Sequence, residues 1–417
     1  MPPREMFVYH RAMTRRSVPI GLITLFLVVV NASCAGDDGK KEEPNPFGLT
    51  SEVITSAGNV DAMEFAPDGR LFYAEHWTGD IRIRTATGEV LPEPFAHVDV
   101  ASTVAMGLTG LALDPDFANN HYVYVLYSQL LAPGPPPGGK PVLARFTDSN
   151  NKGTDMIVLV NDLPAVNPER VFNANGSLHF GPDGHLYFTL GDYDRAQDTG
   201  RQGKHLPQDL GTPIGKMLRV NKVDGRAPPD NPFVNDPTAD PRIYAYGFRG
   251  AFNFTFHPAS GRLYGTDNAG VTCEGVIIVE AGGNYGWPDV GPFPFSDCSA
   301  GRPKLPIGYL SQTGRSPSDF DSTVGGSGME FISGTRYAVL GDSLVVCEAR
   351  TQLLRRVALA PPNLDKITAN DVIARDCWLD VTVGPDGLIY YANLTEIRRL
   401  MPPVPSPSPS PPTPPAS

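Results

Sequence analysis

One phrase recurs along this chain: an apolar strand, a Pro-Asp-Gly type of turn, and a second apolar strand. It reads Met63-Glu-Phe-Ala-Pro-Asp-Gly-Arg-Leu-Phe-Tyr73, then Leu111-Ala-Leu-Asp-Pro-Asp-Phe117 followed by Tyr122-Val-Tyr-Val125. A third copy is Leu178-His-Phe-Gly-Pro-Asp-Gly-His-Leu-Tyr-Phe188, and a fourth is Phe254-Thr-Phe-His-Pro-Ala-Ser-Gly-Arg-Leu-Tyr264. The fifth is decayed, Met329-Glu-Phe-Ile-Ser-Gly334 leading to Ser343-Leu-Val-Val346, and the sixth is Asp380-Val-Thr-Val-Gly-Pro-Asp-Gly-Leu-Ile-Tyr390. Proline presets φ for a turn, aspartate bonds its own backbone, and glycine accepts the positive φ that tight turns need. Alternating apolar residues on either side make strands with one buried face, so each copy is a hairpin.

Six hairpins spaced about 50 to 75 residues apart each leave room for two further strands and a loop. That is a four-stranded blade, and six blades closing in a ring solve the problem of unpaired sheet edges. The chain is therefore expected to be all-β, a six-bladed β-propeller with four-stranded blades. A solenoid or a pair of sandwiches is the competing arrangement. The irregular spacing favours the propeller, because long loops there collect around one mouth of the channel. Glycine and proline, 43 of each, cannot sit inside helices in such numbers.

The N-terminus bears on the compartment. Arg15 and Arg16 precede an apolar run from Val18 to Val30, which ends in Asn31-Ala-Ser-Cys34. A basic stretch, a short apolar run and small residues describe a secretory signal. The run is shorter than the roughly 20 apolar residues of a membrane span. Small residues directly before a cysteine resemble a bacterial lipobox, so 1–34 is read as a signal peptide and Cys34 as the lipidated residue. Asn31 stands where an aliphatic residue is usual, which leaves secretion with a free Cys34 as the alternative. Residues 35–46 read as a polar tether, 47–401 as the propeller, and 402–417 as a Pro/Ser-rich tail with nothing to bury. The expectation is a lipoprotein facing the periplasm or cell surface, touching the membrane through its anchor alone. A net charge of −11 argues against a nucleic-acid partner, which needs basic patches. Cys273, Cys298, Cys347 and Cys377 make an even count in an exported chain and suggest disulfides. Of their three pairings, neighbours in order, Cys273–Cys298 and Cys347–Cys377, are the expected ones. Their spacing fits no zinc pattern.

Longer phrases go beyond architecture. Gly107-Leu-Thr-Gly-Leu-Ala-Leu-Asp-Pro-Asp-Phe117 resembles a stretch of the quinoprotein glucose and sorbosone dehydrogenases, the soluble aldose sugar dehydrogenase type. Gly176 to Gly184 with Leu190-Gly-Asp192 looks like the next block of that family. Gln208-Asp-Leu, Gly215-Lys-Met-Leu-Arg-Val-Asn221, Asp230-Asn-Pro-Phe233, Tyr246-Gly-Phe-Arg249 and Gly282-Gly-Asn-Tyr-Gly-Trp-Pro288 follow in family order. The resemblance implies a propeller whose mouth holds pyrroloquinoline quinone (PQQ) above a calcium ion. It also implies a small-molecule sugar substrate, with a histidine taking the proton from an aldose C1 hydroxyl as hydride passes to the quinone. The cofactor carries the redox chemistry and the protein supplies orientation and charge. Calcium supports the fold and polarises the quinone.

The pocket departs from that pattern. The position of the proton-abstracting histidine is Asn173, and an amide has no site titrating near neutral pH. Asp192 and His76 are the nearest candidates for a replacement base. Arg249 survives and is suited to an anionic quinone or a carboxylate. The amides that follow the arginine in the family are lost in Arg249-Gly-Ala-Phe-Asn253. The carbonyl pair associated with calcium falls at Ala269 and Gly270, with Asp267 offering a carboxylate. Two further cofactor arginines are replaced by Cys377 and Leu379, although Arg375 lies close by. Ala105 replaces a substrate-side glutamine. Trp77, after Glu75-His76, is either a platform for a sugar ring or core packing. Trp287 reads as a blade-packing residue, and His179, His185 and His257 as decoration of strands and turns.

Three functions remain open. One is a PQQ-dependent aldose dehydrogenase with an altered pocket, whose electron acceptor is not legible. The second is a non-catalytic propeller binding a carbohydrate, peptide or protein partner. The third is a calcium-dependent, lactonase-like hydrolase. Fold cannot choose among them, because function belongs to the site.

Overall fold

The computed structural model describes residues 45–134, 136–167, 173–268, 274–288, 303–310 and 324–403. They form six four-stranded antiparallel sheets, the blades of a six-bladed β-propeller. Among the described residues the one α-helix is the single turn Phe117–Asn120. Every hairpin of the repeat supplies the two innermost strands of a blade. In chain order these are Val60–Phe65 with Leu71–Glu75, Leu108–Leu113 with Tyr122–Ala132, and Asn175–Phe180 with Leu186–Leu190. Phe254–Phe256 with Leu263–Asp267, Gly326–Ile332 with Ser343–Glu348, and Val381–Val383 with Ile389–Ala392 complete the ring. Each innermost strand touches the next, and the last touches the first.

The turn chemistry repeats atom for atom. Gly69 N–H donates to Ala66 O at 2.9 Å and Arg70 N–H to Asp68 Oδ1 at 3.1 Å. The third and sixth copies do the same, with Gly184 on Gly181 and His185 on Asp183, and with Gly387 on Gly384 and Leu388 on Asp386. Gly69, Gly184 and Gly387 have φ of 85°, 76° and 74°, which side-chain-bearing residues adopt only at a cost.

Closure of the ring joins the two ends of the fold. Thr50–Ser56 pairs antiparallel with Glu396–Met401 and becomes the outermost strand of the sixth blade. Between blades the apolar faces interlock. Phe72 meets Phe117 of the second blade edge to face with centroids 5.8 Å apart, and Phe95 of its own blade at 5.3 Å. Tyr124 of the second blade and Leu178 and Phe188 of the third share one buried cluster. Each such fully buried side chain contributes about 2–3 kcal/mol.

In this topology the residues just before an innermost strand adjoin those just after its partner. Asn173, Asp192, His76, Arg249 and Asp267 all occupy such positions and therefore lie at one end of the ring, its mouth.

Candidate functional site at the propeller mouth

Asn173 precedes the innermost strand of the third blade and Asp192 follows the second strand, so the fold sets them side by side. The Asn173 amide donates to Asp192 Oδ1 at 3.1 Å. Gly191 permits this approach, since a Cβ there would lie 2.1 Å from the Asn173 carbonyl oxygen. Asp192 Oδ1 also accepts Asp194 N–H at 3.0 Å, and Oδ2 accepts the Trp287 indole N–H at 2.9 Å. Burial pushes the Asp192 carboxyl up to about 6, against the pull of Arg249 and the Trp287 bond.

Arg249 and Asp267 form the next layer. Arg249 O accepts Asp192 N–H at 2.8 Å, and its guanidinium donates to Asn268 O at 2.9 Å. Asp267 Oδ1 accepts the backbone N–H groups of Arg249 and Gly250, each at 3.2 Å. This carboxylate oxygen thus orders the loop that carries Arg249.

His76 belongs to a separate buried pair. Its Nδ1 lies 2.5 Å from Asp61 Oδ2, and its Nε2 lies 2.7 Å from the Thr103 carbonyl oxygen. A carbonyl can only accept, so Nε2 carries a proton, and Asp61 calls for a second on Nδ1. Burial alone would lower the imidazole's proton affinity, but Asp61 outweighs it and raises it. His76 therefore offers no lone pair to a substrate, which corrects its candidacy as a base. Trp77 beside it is 45% exposed, so it is not core packing. Its carbonyl is held by Ser102 Oγ at 2.7 Å, next to exposed Val104.

The remaining mouth positions are acidic or sealed. Glu274 accepts Val324 and Gly325 N–H at 2.6 and 2.7 Å, and burial pushes it up to about 7. Glu348 is raised by burial and paired with Arg355. Asp380 accepts Met63 N–H across the ring closure at 2.7 Å and is pushed well up by burial. Cys347 and Cys377 form a disulfide with Cα atoms 5.2 Å apart, and both are fully buried. Leu379 is buried as well. Arg375 ends Ile367–Arg375, the outermost strand of the fifth blade, exposed and three strands removed from the innermost one. It is not brought to Arg249.

PQQ, an acidic tricarboxylate, does not fit this donor set. The cationic side chain that the described residues bring to Asp192 is Arg249, already bonded to Asn268 O. The two positions where the resemblance implies further cofactor arginines hold a buried disulfide sulfur and a buried leucine, within a mouth of carboxyl groups. For calcium, Ala269 and Gly270 lie outside the described residues, as do Cys34, Cys273 and Cys298. Among the described residues no three His, Cys, Asp or Glu side chains gather as a metal site.

One further placement differs from expectation. Trp287 is a donor to the mouth carboxylate rather than a packing residue. Its cue was a polar N–H on a ring set among tight-turn glycines, in Gly282-Gly-Asn-Tyr-Gly-Trp-Pro288. His179 sits on the strand Asn175–Phe180, half-buried and bonded to Asn253 Oδ1 at 2.9 Å, and desolvation pushes it down to about 4.

A family model described as glucose / sorbosone dehydrogenase matches residues 59–400. Quinoprotein glucose dehydrogenase B of Acinetobacter calcoaceticus is 30% identical over 257 residues, covering 57% of this chain and 52% of that protein. The match thus spans about half the length of that relative. Aldose sugar dehydrogenase YliI of Escherichia coli is 26% identical over 333 residues, 79% of this chain and 85% of the relative. The solved apo form of the soluble aldose sugar dehydrogenase from Escherichia coli superposes with a TM-score of 0.70 at 22% identity. That superposition covers 85% of this chain and 99% of the other and speaks to the fold alone.

Proposed function

Because the chain belongs to the glucose / sorbosone dehydrogenase family, we propose that it is a sugar-binding propeller which has kept the family frame and given up the quinone. The ligand class is an aldose or an aldose-ended carbohydrate, by relation to the aldose sugar dehydrogenase it resembles. Trp77, exposed on the rim, supplies a flat apolar face of the kind sugars stack on. Asn173, Asp192 and Arg249 supply polar groups at the same end of the ring. The observation that carries this reading is the Cys347–Cys377 disulfide. It puts a buried sulfur where the family resemblance calls for a cofactor arginine.

The test is calorimetric titration of the exported, unlipidated Cys34→Ser protein with glucose, xylose and cellobiose. Binding that is lost in Trp77→Ala supports the reading, and no heat with any of these sugars overturns it. A second reading, aldose oxidation with Asp192 as the base, is favoured by one observation. The Asp192 carboxyl is pushed up to about 6, near the range where a general base works. Its two oxygens accept three bonds, from Asn173, Asp194 and Trp287, which leaves one acceptor site on Oδ2 for a substrate hydroxyl.

We further propose export and lipidation at Cys34. The buried disulfide supports an oxidising compartment. Labelled palmitate incorporated by the full chain but not by Cys34→Ser is the expected outcome. Equal labelling of both contradicts it.

A further inference from the structure

Trp287 is gripped from behind by a web of amides. Gln208 Nε2 donates to Asn284 Oδ1 at 3.1 Å and to Trp287 O at 2.8 Å. Asn284 Nδ2 returns a bond to Gln208 Oε1 at 2.9 Å, and Asn284 Oδ1 also accepts Gly286 N–H at 2.9 Å. Trp287 N–H donates to Gly247 O at 2.9 Å. Gly247 has φ of 82°, and a Cβ on it would lie 2.5 Å from Asn284 Oδ1 and 2.7 Å from Gln208 Nε2. The web thus leaves no room for a side chain there. Behind Gln208, the buried Lys216 ammonium donates to Leu206 O, Pro207 O and Ile214 O at 3.0, 2.9 and 2.7 Å. All three of its protons are used to fix the turn that presents Gln208. Trp287 is held at its backbone N–H and carbonyl, and its indole reaches forward to Asp192.

We infer that Gln208 and Asn284 are positioning residues for the mouth: through Trp287 they hold the indole N–H on Asp192 and so control the charge the mouth presents. This rests on the reading of Asp192 as a group that the ligand meets. The physical argument is direct. A donor fixed on a carboxylate favours the ionised form, and a donor that wanders favours it less. The charged groups facing Asp192 are Arg249 from the fourth blade and Asp194 from its own loop. Asn173 and Trp287 are its neutral donors. A sugar hydroxyl donates more strongly to the ionised carboxylate than to the neutral acid, so binding weakens as pH falls through the Asp192 midpoint.

The chain has three tryptophans, Trp77, Trp287 and Trp378, so three indole N–H signals are expected in the ¹⁵N spectrum of the labelled protein. Absence of one from Trp287→Phe assigns it. In the parent protein the Trp287 indole signal is expected to titrate with a midpoint near about 6. In Gln208→Ala and Asn284→Ala that midpoint is expected to rise by about one pH unit, with the Trp77 and Trp378 signals unmoved. Midpoints equal to the parent's in both variants, or an indole that does not titrate at all, overturn the inference. Should neither variant fold, Trp287→Phe keeps an aromatic ring and removes the N–H. The Asp192 carboxyl carbon then reports directly, and an unshifted midpoint overturns the inference equally. None of these readouts involves a ligand, so a sugar that fails to bind leaves them untouched and the two failures are told apart.

Discussion

The Asn173 amide and the Asp192 carboxylate are bonded to each other side by side on the third blade, Nδ2 to Oδ1 at 3.1 Å. Asn173, where the family resemblance implies a base, thus donates to a buried carboxylate. The mouth is built around Asp192, and Asp192→Asn is expected to weaken sugar binding at least tenfold. The sign of its pH dependence follows from ionisation. Parent binding is strongest above about 6 and weakens below it, whereas binding by Asp192→Asn is flat with pH. Titration calorimetry at pH 5 and 8 reads both.

Trp77→Ala separates recognition from folding. The ring is 45% exposed, so its removal is expected to leave the melting temperature within about a degree. Sugar affinity is expected to fall about five- to tenfold, the size of a lost stacking contact of about 1 kcal/mol. A large drop in melting temperature would instead mark Trp77 as a packing residue.

The Cys347–Cys377 bridge closes a 30-residue separation between buried sulfurs. A loop of that size constrains the unfolded chain by about 3–4 kcal/mol. Cys347→Ala with Cys377→Ala is expected to lower the midpoint of urea unfolding accordingly. An unchanged midpoint contradicts a structural role for the bridge.

Glu64 gives the fold a pH slope of its own. It sits on the innermost strand of the first blade and accepts Leu113 N–H at 2.8 Å. Burial pushes it up to about 8, and Glu330 adds to the shift. The folded protein therefore holds a proton between about 4.5 and 8 that the unfolded chain releases, and stability falls as pH rises through that window. Glu64→Gln is expected to match the parent at pH 5 and to melt several degrees higher at pH 8.5. An equal difference at both pH values contradicts this.

How much of this could be read from sequence follows the distance over which each signal acts. The hairpins were legible because a Pro-Asp-Gly turn and its flanking alternation are local. The closing strand Thr50–Ser56 was not, since Glu52 meets its partner Arg399 347 residues away. Asn173 and Asp192 could be singled out because the repeat places one before and one after the same hairpin. Trp287, 95 residues from Asp192, looked like core because its ring is bulky and its N–H has no local partner. His76 looked like a free base because nothing in the sequence shows Asp61 and Thr103 claiming both ring nitrogens. The arginine losses at Cys377 and Leu379 were visible as substitutions. Their burial, and the distance of Arg375 from the mouth, needed the fold.

The measurement that tests the central claim most directly is a titration of the Cys34→Ser protein with pyrroloquinoline quinone and calcium, following heat and quinone absorbance together. The expected result is no saturable binding up to high micromolar quinone, and no bleaching of the quinone on adding aldoses. Tight one-to-one binding with aldose-dependent bleaching would contradict it, and would make Asp192 the first residue to test as the base.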